Sequence, residues 1–150
     1  MVESNADEGG ATSPLLMYAV KQVELAVRAH LDDLLKPFGV TALQYTALSV
    51  LEHSGELSAA QLARNSFVTA QSMADMVRAL TTKGLITRAQ DATDRKRLLI
   101  SLTPEGRAFL ARVRDDVEEL DRKMTGSLTA RQRESLRNSL NECRAALQHP

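Results

Sequence analysis

The chain has 150 residues, 43% apolar and 25% charged, enough to bury the core of one compact domain. Its single cysteine, Cys143, excludes an intramolecular disulfide and a cysteine-rich zinc site, and no run approaches the roughly 20 apolar residues of a membrane helix. The formal net charge is zero, but residues 1–35 hold six acids and two bases, while residues 78–114 hold nine Lys or Arg and three acids. Nucleic-acid binding needs a basic surface rather than a basic protein, so the average does not exclude it.

Residues 1–12 are polar and contain glycine, which predicts a disordered tail. They lack the basic-then-apolar pattern of a secretory signal, so a cytoplasmic location is expected. Ser13-Pro14 reads as an N-cap and first helical position. Leu16, Val20, Val23, Val27, Leu31 and Leu34 then recur at spacings of three and four, predicting a long helix that Lys36-Pro37-Phe38-Gly39 ends. Thr41 with Gln44, and Ser58 with Gln61, are capping boxes. They open a helix to about Glu52 and a short helix to about Asn65. Another helix starts at Thr69, with Met73, Met76, Val77 and Leu80 on one stripe, and stops at Lys83-Gly84.

The period then changes. Leu85–Ala89 and Leu98–Leu102 are β-compatible, and the polar run from Gln90 to Arg97 between them predicts a hairpin with a long tip. Thr103-Pro104-Glu105 restarts a helix, along which Leu110, Val113, Val117, Leu120 and Met124 form a heptad-like seam. Thr129 with Gln132 opens the last helix, which carries Leu136, Leu140, Cys143 and Leu147 on one stripe. Aromatics are only 3% of the chain, so Leu, Val, Ile, Met and Ala must build the core. The expected fold is mainly α with a small β-hairpin wing.

The short helix and its successor have the order of a helix-turn-helix, whose second helix enters the major groove. Opposite the apolar stripe stand Gln71, Asp75, Arg78 and Thr82, with Thr69 and Ser72 at the helix start. Gln suits adenine edges, Arg suits guanine or phosphate, and the N–H groups of residues 70–72 face outward for a phosphate. Asp94-Arg95-Lys96-Arg97 places three consecutive cations on the hairpin tip, suited to phosphates or the minor groove. Asp94 is expected to hold a neighbouring basic side chain, and Arg78 to pair with Asp75. An amphipathic surface helix and a solvated turn are the bland alternatives for each feature taken alone.

The stretch Asp94-Arg-Lys-Arg-Leu-Leu-Ile-Ser-Leu-Thr103-Pro-Glu-Gly106 resembles the wing and following helix start of the MarR family of bacterial regulators. Ser58-Ala-Ala-Gln-Leu-Ala63 and Lys83-Gly-Leu-Ile86 are similar to that family's helix-turn-helix, and Val40-Thr-Ala-Leu-Gln-Tyr45 to its second-helix start. The resemblance implies one domain over residues 13–150. It has a winged helix-turn-helix lobe at about 41–103 and a helical dimerisation region at about 13–36 and 104–147. It further implies a homodimeric repressor on a pseudo-palindromic double-stranded DNA site. A small aromatic or phenolic ligand would sit between the lobes, with Tyr45, His30, His53 and Met17 as candidate contacts and Phe38 beside them. Two residues depart from the family pattern: Lys96 stands where its wing arginine is common, and Asp75 where a base is common.

No Gly-rich phosphate loop, nucleophile elbow or H-E-x-x-H motif is present, so no enzyme, metal or cofactor is expected. On the apolar stripe of the last helix, Cys143 is expected to be buried and inert. Asp75 and the neutral charge leave open a winged-helix adaptor that binds proteins instead of DNA.

Overall fold

The computed structural model describes residues 15–148. The expected tail at residues 1–12 and the Ser13-Pro14 cap lie outside the described residues. The elements run α1 (Leu16–Leu35), a 3-10 turn (Lys36–Phe38), α2 (Ala42–Ser54), α3 (Ala59–Asn65), α4 (Ala70–Thr82), β1 (Ile86–Gln90), β2 (Leu98–Leu102), α5 (Pro104–Thr125) and α6 (Ala130–Leu147). The mainly helical fold with a hairpin wing is the one expected.

Local chemistry sets the boundaries. Thr41, Ser58 and Thr129 each close a full capping box with the glutamine three residues on. Thr69 and Thr103 cap α4 and α5 by accepting the N–H groups of Ser72 and Gly106. Pro37 and a left-handed Gly39 (φ 66°) end the first helical stretch. Asp32 then ties α1 to α2, its Oδ1 accepting the Ala42 N–H at 2.7 Å.

The first strand begins one residue later than its sequence suggests, at Ile86. Leu85 is already committed to closing α4: its N–H reaches the Leu80 carbonyl (3.0 Å) while the N–H of Gly84, at φ 75°, reaches Thr81 (3.0 Å). The strands pair antiparallel, Ile86 opposite Leu102 and Gln90 opposite Leu98. Leu57, just before α3, adds a two-way backbone bridge to Ile100 (3.1 and 2.7 Å), a contact without a signal in the sequence.

The main core lies inside the lobe formed by α2, α3, α4, the hairpin and the start of α5. Leu48, Leu62, Met73, Leu80 and Ile100 are its fully buried centre. A smaller cluster of Leu35, Val40 and Val113 joins the end of α1 to α5, with Phe38 edge-on to Phe109 at 5.5 Å and Arg112 stacked over Phe38. Gly106 lies so close to the Leu85 carbonyl that a Cβ there would stand 2.1 Å from its oxygen.

The helices outside this lobe are different. The α5 seam is buried at Leu110 and Val113, half-buried at Val117 and Leu120, and exposed at Met124. No residue of α6 is buried. Cys143 is therefore exposed, contrary to expectation: the stripe it belongs to exists, but no element among the described residues covers it.

Candidate nucleic-acid interface

Helix α4 buries Met73, Met76, Val77 and Leu80 against the core, which turns Gln71, Ser72, Asp75 and Arg78 to solvent. At its start, the Thr69 hydroxyl accepts the Ser72 N–H (3.1 Å) and donates to the Ser72 hydroxyl (3.0 Å). The cap thus consumes the Ser72 N–H, leaving only those of Ala70 and Gln71 for an outside phosphate rather than the three expected. Asp75 and Arg78 form the expected ion pair. Both are well exposed, so the pair organises the face more than it stabilises the helix.

Two turn-forming carboxylates order the wing tip. Asp91 Oδ1 accepts the N–H (2.9 Å) and hydroxyl (2.8 Å) of Thr93, and these bonds, the backbone one foremost, hold the Asp91 carboxyl below its ordinary range. Asp94 does not hold a basic side chain as expected; its Oδ1 accepts the backbone N–H of Lys96 at 3.1 Å. A short side chain closing a turn on the residue two ahead is the usual Asx geometry, and it competes successfully with a long-range pair. Arg95 and Lys96 project into solvent, whereas Arg97 is half-buried and donates to Gln61 Oε1 of α3 at 2.6 Å. The three cations thus have different surroundings.

Between α4 and the hairpin runs a groove of about 260 Å³, lined by Arg78, Arg88, Ala59, Ala74, Val77 and Leu98 among others. Arg88 was not singled out in the sequence. Its signal was there: it stands two residues after buried Ile86, so strand alternation puts it on the face turned toward α4. Helix and wing therefore border one groove, largely apolar in lining, with an arginine from each.

Comparison with known proteins agrees with this geometry. Residues 38–97 match the model of the MarR family. Over 134 residues the chain is 31% identical to an HTH-type transcriptional repressor of Mycobacterium tuberculosis, covering 89% of this chain and 96% of that protein. The chain belongs to the MarR family. It is a DNA-binding transcriptional regulator and not an enzyme. It is also 26% identical over 127 residues to the homoprotocatechuate degradative operon repressor of Escherichia coli, covering 85% of this chain and 86% of that one. Among solved structures, Bordetella bronchiseptica BpsR, whose DNA binding is regulated by 6-hydroxynicotinic acid, has the same fold. The TM-score is 0.76 at 20% identity, covering 85% of this chain and 97% of that one.

In this MarR-family chain the candidate ligand residues do not all converge. Tyr45 and His53 line one open cavity of about 520 Å³ between α2, the end of α3 and the end of α6. His30 lies elsewhere, in a groove of about 260 Å³ between α1 and α5 with Val23, Lys123 and Met124. Met17 is 73% exposed near the start of α1, and Phe38 is a packing residue against Phe109. The larger cavity also takes in Arg64, Phe67 and Arg144, which chain reading missed because they come from two distant segments. Phe67 carries a positive φ of 57° on the turn leading into α4, a conformation a bulky residue rarely adopts. Among the described residues no cluster of His, Cys, Asp or Glu is arranged for a metal, and no helix is long and apolar enough to cross a membrane.

Proposed function

We propose that the chain acts as a homodimeric, ligand-responsive repressor on a pseudo-palindromic promoter site. The observation that carries this reading is the shared groove bordered by Arg78 of the outward α4 face and Arg88 of the wing. In this reading Gln71 and Arg78 read base edges, with Thr69, Ser72 and Asp75 shaping that face. Asp94 shapes the wing whose Arg95 and Lys96, with Arg97, meet the backbone or minor groove. Lys96 serves as a point charge where Arg would form a fork. The Asp75–Arg78 pair removes the unopposed acid that favoured a protein-binding adaptor.

The exposed apolar residues of α1, of the end of α5 and of α6 supply the dimer surface: Leu16, Val20, Val23, Met124, Leu136 and Leu140. Pairing through residues 13–36 and 104–147 would present two winged lobes at half-sites about one helical turn apart. For the inducer, the cavity holding Tyr45 and His53 combines aromatic walls with polar groups, which suits a small aromatic or phenolic molecule. The relatives that repress a homoprotocatechuate operon or respond to 6-hydroxynicotinic acid support that class. The cavity touches Asn65 and Phe67, next to the recognition helix, so an occupant would favour one lobe arrangement over another.

Selection of bound fragments from a genomic pool, followed by gel shifts with and without hydroxylated aromatic acids, tests the proposal. It expects one sequence class with two-fold symmetry and release by at least one such acid. Recovery of no sequence class would refute it.

A further inference from the structure

Three consecutive cations at a wing tip invite a single role, but their surroundings divide them. Arg95 and Lys96 are exposed, while Arg97 is half-buried and turned back toward α3. Its guanidinium donates to Gln61 Oε1 at 2.6 Å. That same oxygen accepts the Ser58 N–H at 3.0 Å and the Ser58 hydroxyl at 3.2 Å, as the returning arm of the α3 capping box. A carbonyl oxygen has two lone pairs, and with three donors sharing them this one has no capacity left. It is also rigid, because it cannot follow a moving arginine without abandoning the helix cap. The backbone of Arg97 is pinned as well: its N–H reaches the Asp94 carbonyl (3.0 Å) and its carbonyl accepts the Asp91 N–H (2.8 Å).

A second attachment lies in β2, just after Arg97, where Leu57 bridges Ile100 in both directions. Residues 97 and 100 are about 10 Å apart along an extended strand. Their partners, Leu57 and Gln61, flank the Ser58 cap of one short helix. One attachment point lets a hairpin swing; two fix its direction. Since α3 packs on α4, the wing is thereby aimed relative to the recognition helix.

We propose that Arg97 is a strut rather than a DNA-binding side chain, that Gln61 is the positioning residue it braces against, and that Arg95 and Lys96 are the wing cations that meet the duplex. The proposal rests on the DNA-binding reading above and narrows its set of wing residues.

The test joins hydrogen exchange of the wing in the free protein to the salt dependence of binding to a duplex selected by the wild type. Arg97→Ala and Gln61→Ala should both speed exchange across residues 90–99, whereas Gln61→Glu, which keeps the cap and the acceptor, should not. Each alanine variant should bind about tenfold more weakly, in line with removal of one charge-assisted hydrogen bond. The double alanine variant should be no worse than Gln61→Ala, which alone also loses an arm of the α3 cap. The salt slope of Arg97→Ala should match the wild type, while that of Arg95→Ala should be shallower by about 0.9 for each phosphate no longer neutralised. A slope change for Arg97→Ala as large as for Arg95→Ala, additive effects in the double variant, or unchanged wing exchange would overturn the proposal. If the wild type selects no duplex, the DNA-binding reading fails, and the exchange data still decide whether the strut exists.

Discussion

The winged lobe and the outlying helices use the same amphipathic code but finish it differently. Leu62 in α3 is fully buried, while Leu140 in α6 is 44% exposed, although both sit on regular apolar stripes. The lobe closes its core with its own α2, α3, α4 and hairpin, so short helices that would be marginal alone are held by packing. Helix α6 presents a comparable stripe on which no residue is buried, and the α5 seam emerges from cover by Met124. Periodicity identifies which residues need cover; it does not say which molecule provides it.

Substitutions can break each half separately. The largest effect is expected from Leu62→Ala, which leaves a void at the centre of the lobe and should cost about 3 kcal/mol, read from chemical denaturation. Gly106→Ala attacks the joint between the halves. Its new Cβ would collide with backbone, the Leu85 carbonyl, and should cost about 2 kcal/mol with loosened hairpin exchange. Thr129→Ala acts only on the outer helices. Without its capping box α6 should lose about 1 kcal/mol, visible as faster exchange in α6 with the lobe unchanged.

The smallest effect concerns pH and the wing. The Thr93 bonds lower the Asp91 carboxyl in the folded state, so its contribution is complete above the ordinary carboxylate range and is lost as pH falls through its depressed value. Wing exchange corrected for intrinsic rate should therefore be constant near neutrality and rise only in acid. In Asp91→Asn that acid step should disappear.

Much of the fold was legible because its signals are local. Thr41/Gln44, Ser58/Gln61 and Thr129/Gln132 announce helix starts, and Gly84 announces a stop, through bonds spanning three to five residues. The outward set on α4 followed from its buried stripe in the same way. What escaped depends on approach between distant segments: the Leu57–Ile100 bridge, the Gln61–Arg97 bond, and the meeting of Arg64, Phe67 and Arg144 around Tyr45. Cys143 shows the converse: its stripe was read correctly, but no element of the described chain buries it.

The paired molecule is the central claim, and Leu140→Arg tests it most directly. This exposed site lies outside the lobe core, so the winged lobe should keep its wild-type exchange protection. Sedimentation with the selected duplex should show two wild-type chains per duplex, and the variant should be monomeric and bind at least about a hundredfold more weakly, the usual scale when bivalency is abolished. A monomeric variant that binds as tightly as the wild type, or a wild type that binds as one chain per duplex, would contradict the account.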